Sequence, residues 1–332
     1  MDRSQLLHQE TIDDGRAAKL VFSATRDDGK VATFETGSFL EYDGNDQPAK
    51  HDICVSTAGG CTRHCTFCAA PDPHPGFERL LSADEIVGQV DEAVARRNSD
   101  GRFRNVVGLM GNGEPTDNAA IFPALHTLFG RPYPLRRIMV STIGENLRNV
   151  HRMAEEFPAS AALPAPVVLH VSIHVADDGK RRHIIPGRRR IEEIMAAADR
   201  YSAVAYDPQH NRYPVRVNVV LMESVDDGFS NATPDDARHL VELMRTPFEG
   251  DETLRRQLKL SAYNPIPGKP FRAPPEAAQR AFLSVLSQAG LAMYTFQGSG
   301  IVIDSAAGTG GFACGQLRAT TRTALRLSSR IP

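Results

Sequence analysis

The amino-acid sequence predicts an α/β protein built around a parallel sheet. From about residue 51 short β-branched runs alternate with amphipathic stretches, the pattern of successive βα units. Several of the amphipathic stretches open on helix-start signals. Cysteines and a glycine-glutamate stretch fall at or just past the ends of the first two strands, where barrels of this class keep their reactive groups.

Taken in order, the segment before residue 48, LVFSATRDDGKVATFETGSFLEYDG, alternates in hydropathy about an Asp28-Gly29 turn and predicts a small antiparallel hairpin, too short to be a domain. Strands are expected at Asp52 to Ser56, Asn105 to Met110, Arg137 to Thr142, Val167 to Ile173, Val215 to Met222 and Lys259 to Tyr263, each followed by a helix, giving six βα repeats. Ser82 with Glu85 forms a capping-box pattern, and the helix over 83–97 puts Ile86, Val90, Ala93 and Val94 on one stripe. Thr233-Pro234 with Asp236 places a cap and a first-turn proline. The helix over 274–289 repeats the stripe with Ala278, Phe282, Val285 and Leu286. A short strand, Leu291 to Phe296, then leads into the glycine-rich GTGGFACGQL. The expected domains are a β extension over 1–47, a core over 48–304 and a C-terminal loop with a final helix over 305–332.

At 332 residues, 41% hydrophobic and 23% charged, the chain has the balance of a soluble globular protein. It has no run of eighteen apolar residues and no signal-peptide pattern at its start, so no membrane association and a cytoplasmic location are expected; a monomer is also expected. A net charge of -2 means that a polyanion would be held by local clusters, not by the field of the whole chain.

Four of the five cysteines lie in CVSTAGGCTRHCTFC. An odd number so crowded suits a metal site or redox chemistry, not a disulfide scaffold. Cys61, Cys65 and Cys68, spaced CxxxCxxC, can bring three thiolates to one metal centre. A 4Fe-4S cluster held by three cysteines keeps one iron for a small-molecule ligand. The alternative is a structural zinc site completed by His64 or His51.

This spacing, with Phe67 before the last cysteine, resembles the radical S-adenosylmethionine (SAM) superfamily, and Met110-Gly111-Asn112-Gly113-Glu114-Pro115 resembles that superfamily's glycine-glutamate motif. Further stretches are similar to the RlmN/Cfr family of RNA adenine methyltransferases: Cys54-Val55-Ser56, Val140-Ser141-Thr142 with Gly144, Val171-Ser172-Ile173-His174, Asn264-Pro265-Ile266-Pro267-Gly268, and Ala313-Cys314-Gly315-Gln316-Leu317. The likeness runs from roughly residue 50 to 320. It implies a partial (β/α)6 TIM-like barrel of the radical SAM type, a 4Fe-4S cluster on Cys61, Cys65 and Cys68, and two SAM molecules per turnover. Contacts to SAM fall to Gly113, Glu114, Ser141, Ser172, Ile173, His174 and Asn264.

The same resemblance implies methylation of carbon 2 or carbon 8 of adenine in rRNA or tRNA, with Cys314 as methyl carrier and Cys54 as the thiol that resolves the adduct to a transient disulfide. A flavodoxin-like or other one-electron reductant is implied. The family uses a glutamate base ahead of the first cysteine. An ungapped count reaches Glu41, whereas an alignment on the Asp28-Gly29 turn arrives at Ala32 with Glu35 nearby, and Glu41 is the assignment here.

The chain departs from the family in having only a hairpin-like segment where an N-terminal helical domain is usual, and in an inserted SAAGTGGF before Ala313. These features keep open a small molecule, nucleoside or peptide as substrate of the same chemistry, and a non-catalytic zinc module as a further alternative. The basic runs Lys180 to Arg182 and Arg188 to Arg190 follow the fourth strand, where they can bind phosphates or simply form a solvated loop.

Overall fold

The computed structural model describes residues 4–12, 15–25, 28–71, 76–249, 254–266 and 268–295. The chain divides into two compact units, one made mainly of residues 1–64 and 68–140, the other of 65–67 and 141–298.

In the first unit strands β1 (Ser4–Ile12), β2 (Ala17–Thr25), β3 (Val31–Tyr42) and β4 (Pro48–Val55) pair antiparallel in sequence order. Strands β5 (Arg104–Leu109) and β6 (Leu135–Thr142) continue from β4 in parallel. The expected hairpin is therefore part of a longer antiparallel ribbon that joins the parallel strands through β3 and β4. Helix α1 (Ala83–Arg97) begins where the capping box places it: Ser82 Oγ accepts from the Glu85 N–H, and the Glu85 carboxylate accepts from the Ser82 N–H. Glu85 also takes a two-point contact from Arg79, with both side chains almost fully buried. Helix α2 (Ile121–Phe129) follows β5.

Strands β7 (Val167–Ser172), β8 (Val215–Leu221), β9 (Arg256–Ala262) and β10 (Met293–Thr295) form the parallel sheet of the second unit. Helices α3 (Leu147–Glu156), α4 (Asp178–Ile184), α5 (Ile191–Ala205), α6 (Pro234–Arg245) and α7 (Glu276–Gln288) connect these strands or follow β6 and β9. Each of the six expected strands is present and each is followed by helix, as βα repeats require. On β8 the residues alternate buried and half-buried, so one face packs into apolar core while Arg216, Asn218 and Val220 line the other. Among the described residues no helix is long and apolar enough to cross a membrane.

Candidate active site

The two faces of β3 and β4 have different tasks. Thr36 donates to Gln89 of α1 at 2.8 Å, and Gln89 also bonds the Ser56 backbone. His51 lies on this helix-covered face, fully buried, with Nε2 2.7 Å from Ser38 Oγ and Nδ1 3.0 Å from Asn105 Oδ1. Burial lowers the His51 pKa to about 4. Both ring nitrogens are thus committed to the core, which removes His51 as a zinc ligand.

Cys54 points to the opposite face. It lies across from Gly37 on β3 and alongside Gly108 on β5. A Cβ at position 37 would stand 2.9 Å from the Phe39 ring and 3.4 Å from Cys54 Cβ; one at 108 would stand 2.5 Å from the Met110 methyl and 3.2 Å from that of Met139. The thiol is therefore flanked by two positions without side chains, covered by a ring edge and thioether methyls. It is 7% exposed.

The two candidate glutamates share this face, since both are an even number of residues from Gly37. Glu35 is two residues from Gly37, toward the carboxyl end of β4, and is fully buried, with Oε2 4.0 Å from Nζ of buried Lys19. Its backbone carbonyl accepts from Ser56 Oγ at 2.6 Å. Glu41 is opposite Lys50, four residues from Gly37 in the other direction, or about 13 Å along the strand. Its carboxylate is 3.0 Å from Lys50 Nζ, which also holds Asp52 at 2.7 Å. Burial, with nearby Asp52, raises the Glu41 pKa.

Beyond β5 the chain folds back on the end of β4. The Gly111 N–H donates to Val55 O, the Asn112 N–H to Ser56 Oγ, and Asn112 O accepts from Thr57 and Ala58 at 2.8 and 3.2 Å. Gly113 has φ +99°, and a Cβ there would fall 2.6 Å from Thr57 Oγ1 and 2.9 Å from Ala58 Cβ. At Gly111 and Gly113 the backbone runs close against residues 55–58. The two glycines fix Glu114, which is 6% exposed and accepts from the N–H and hydroxyl of Thr116 at 3.2 and 2.7 Å. Between them the Asn112 side chain is 1% exposed, with neither amide atom bonded among the described residues. A buried amide left in that state costs about 1–3 kcal/mol, so the pattern fits a site that receives a polar group.

The cysteine loop has suitable donors for a cluster. Cys61 and Cys65 are buried and Cys68 is partly exposed. Backbone N–H groups of Arg63 and Ala70 donate to the sulfurs of Cys61 and Cys68, each at 3.4 Å. Burial pushes the Cys61 thiol up to about 12. Arg63 binds Asp117 through two points at 2.7 and 2.6 Å, tying the loop to the short helical turn after Glu114. Among the described residues no three His, Cys, Asp or Glu side chains are arranged around a single ion.

In the second unit the Thr66 N–H donates to Ile184 O at 3.0 Å, the Tyr263 hydroxyl to Phe67 O at 2.8 Å, and the Phe67 ring meets His174 edge-on at 5.0 Å. His174 lies just past β7 in a left-handed conformation, φ +63°, where the sequence predicted strand through Ile173. Its Nδ1 accepts from the Val220 N–H at 3.1 Å. Burial, with Arg181 nearby, lowers its pKa to about 3, so the ring is neutral. Backbone N–H groups of Ile173 and His174 both donate to Asn218 O. Ser141 and Ser172 are half-buried and Asn264 is exposed. Lys180 is paired with Asp236, Arg181 is buried and donates to Ile143 O, and Arg189 is paired with Glu193. Much of the basic run is therefore neutralised within the protein. Cys314 lies outside the described residues. Sequence reasoning missed Lys19 and Asp117 and named Asn112 only as part of the glycine-glutamate motif; a lysine inside the apolar AAKLVF was the one visible signal for the first.

The Radical SAM superfamily model matches residues 55–227. The chain is 31% identical over 271 residues to the "Dual-specificity RNA methyltransferase RlmN" of Syntrophobacter fumaroxidans, covering 80% of this chain and 68% of that one. It is 31% identical over 275 residues to the "Probable dual-specificity RNA methyltransferase RlmN" of Rhodopirellula baltica, covering 81% and 64%. The chain thus spans about two thirds of the length of these relatives. A solved radical SAM methyltransferase from Sphaerobacter thermophilus superposes with TM-score 0.72 and 28% identity, over 95% of this chain and 81% of that one.

Proposed function

Because the chain belongs to the radical SAM superfamily and, within it, to the RlmN/Cfr-like methyltransferases, we propose that it methylates carbon 2 or carbon 8 of an adenine in RNA through a methylated cysteine and a transient disulfide. The fold is the partial TIM-like α/β architecture of that class, and the enzyme is a SAM-dependent methyltransferase.

The observation that carries the reading is the placement of Cys54. A buried thiol flanked by two glycines, near the carboxyl end of β4 and on the face that also carries a buried glutamate, suits a resolving nucleophile better than an inert core cysteine. Cys61, Cys65 and Cys68 would ligate the cluster, and Glu114 would hold the cofactor's ammonium group. Ser141, Ser172, Ile173, His174 and Asn264 are the further residues assigned to the cofactor. When bound, the cluster and SAM supply the methyl group and a carbon-centred radical that makes an electron-poor ring carbon accessible. A flavodoxin-like or other one-electron carrier would deliver the electron, and two SAM molecules would be used per turnover.

Cys314 would carry the methyl group to the ring carbon, and the resulting adduct joins its sulfur to the base. The Cys54 thiolate would attack that sulfur: the S–S bond forms, the S–C bond breaks, and the electron pair passes to the departing carbon, which takes a proton from water to complete the methyl group. Of the two glutamates, we assign the ring proton to Glu35, because Glu41 is held by Lys50 toward the opposite end of the strand.

The test is mass spectrometry of the covalent species held by Cys54→Ala after incubation with SAM, reductant and either total RNA or a small-molecule extract. A protein–RNA adduct at Cys314 is expected. An adduct formed only with the extract would move the substrate to the small-molecule class, and product formation at the native rate would exclude the two-thiol route.

A further inference from the structure

Strands β7 to β10 contain no aspartate or glutamate and two arginines, which the second unit treats differently. Arg256, on the buried face of β9, uses its whole guanidinium: Nε and Nη2 grip the Asp199 carboxylate of α5, and Nη1 donates to Leu243 O at 2.7 Å. Arg216 is half-buried on the other face, which it shares with Asn218. Its Nη1 donates to the Tyr294 hydroxyl of β10 at 3.1 Å, and its guanidinium carbon is 5.2 Å from the centre of that ring. The Nε–Nη2 edge, which in Arg256 holds a carboxylate, has no partner among the described residues, and Nε is buried. The neighbours of Arg216 in register are His170 and Gln257, neither of them an anion. One step along the same face, about 7 Å away, Ser172, Asn218, Lys259 and Tyr294 form a row across the four strands. There Asn218 Oδ1 is also buried and unbonded among the described residues.

A guanidinium drawn out of water with no anion beside it costs free energy. An open Nε–Nη2 edge presents two parallel N–H donors, the geometry that matches two oxygens of a phosphate. We propose that Arg216, Tyr294 and Asn218 form a phosphate-binding subsite that takes one phosphate of the nucleotide substrate. Arg216 grips two oxygens. The Tyr294 hydroxyl accepts from Nη1, which fixes the fork, and donates its own proton to a third oxygen. The Asn218 amide turns to donate an N–H. This assignment rests on the function proposed above: Ser172, in the same row, is one of the residues assigned to the cofactor, and Asn218 O accepts from the N–H groups of Ile173 and His174. A phosphate bound here is therefore beside the cofactor segment, where the reacting nucleotide must be. Phosphate is also the chemistry that an RNA strand and a free nucleotide have in common.

The experiment uses anaerobically purified holoenzyme without SAM or reductant, so that binding is read apart from turnover. Calorimetry compares adenosine, AMP and a short adenosine-containing RNA. AMP and the RNA should bind the native protein about tenfold more tightly than adenosine or better, the worth of hydrogen bonds to a charged group. Arg216→Met should remove that advantage and leave adenosine binding unchanged, and Tyr294→Phe should reduce it about threefold. Melting temperature is the second readout. Inorganic phosphate should raise it for the native protein and not for Arg216→Met; without phosphate the variant should melt no lower, because it loses an uncompensated charge. A tighter hold on AMP than on the RNA assigns the subsite to a free nucleotide, and the reverse assigns it to the RNA backbone; both support phosphate recognition. No advantage of AMP or RNA over adenosine, or one that survives in Arg216→Met, would overturn the proposal. So would a variant that melts lower in phosphate-free buffer, which would make Arg216 a structural group. Methyl transfer by the native enzyme is measured separately. Its absence defeats the assigned function and leaves the subsite standing, whereas normal transfer with binding independent of Arg216 defeats only the subsite.

Discussion

Arg63 and Asp117 meet in a two-point ion pair, Nε to Oδ2 at 2.7 Å and Nη2 to Oδ1 at 2.6 Å. One partner is in the cysteine loop, the other in the turn that follows Glu114, so the pair ties the proposed iron ligands to the proposed cofactor ligand.

Asp117→Asn keeps the shape and loses the charge. Hydrogen bonds to charged groups contribute about 1.5–3 kcal/mol, so the variant should fold normally and release its cluster about tenfold faster or more. Iron content after gel filtration, followed against time, checks this; undiminished retention would show that the pair has no part in holding the loop.

Gly113→Ala places a methyl 2.6 Å from Thr57 Oγ1 at a backbone angle of φ +99°. Strain of this kind costs about 1–3 kcal/mol, and the clash falls on the strand end that orients Glu114. A drop in melting temperature with weaker SAM binding is expected, measured by calorimetry on the anaerobic protein.

Asn112→Leu should act in the opposite sense on stability. Replacing a buried, unbonded amide with an apolar group of similar volume removes a penalty of about 1–3 kcal/mol. The variant should melt higher without ligands, yet bind SAM or substrate less well if the amide is retained for a bound group. Equal melting temperatures in the ligand-free proteins would count against this assignment.

Glu35→Gln should reduce methyl transfer by about 100-fold to 10,000-fold, the usual contribution of a general base. Glu41→Gln, which changes a half-exposed group paired with Lys50, should stay within about threefold. The reverse ranking would return the base to Glu41.

Two buried histidines should make stability depend on acid. His51 and His174 are pushed from the usual imidazole value down to about 4 and about 3. Below about pH 6.5 the unfolded chain binds protons at both sites while the folded one does not. Stability should therefore fall as pH falls through this window, by about 1.4 kcal/mol per pH unit for each histidine, with the His51 share ending near pH 4. Urea titrations at pH 6.5 and 4.5 read the slope, and His51→Gln should reduce it.

The sequence was most legible where local chemistry decides structure. Helix α1 begins and ends at the expected residues because its capping box and apolar stripe act within a few residues of each other. The cysteine spacing and the glycine-glutamate motif were readable for the same reason. Non-local pairing was not. Strand β1 is exposed on much of its length and carries little apolar alternation, so the ribbon was read as one hairpin. The choice between Glu35 and Glu41 depends on β3 pairing with β4 in a register that places Gly37 against Cys54, and counting along the chain cannot reveal that. His174 was read beside a strand, but its left-handed backbone is set by bonds to Asn218 and Val220, some 45 residues away.

The covering of Cys54 has a mechanical consequence. In the proposed cycle its sulfur alternates between a thiol and half of an S–S bridge, changing volume and direction at every turnover. The atoms over its two bare neighbours are the termini of Met110 and Met139 and the rim of Phe39, which can swing aside by rotation about single bonds. The alternation can thus be accommodated by side chains alone, leaving the strands in register throughout.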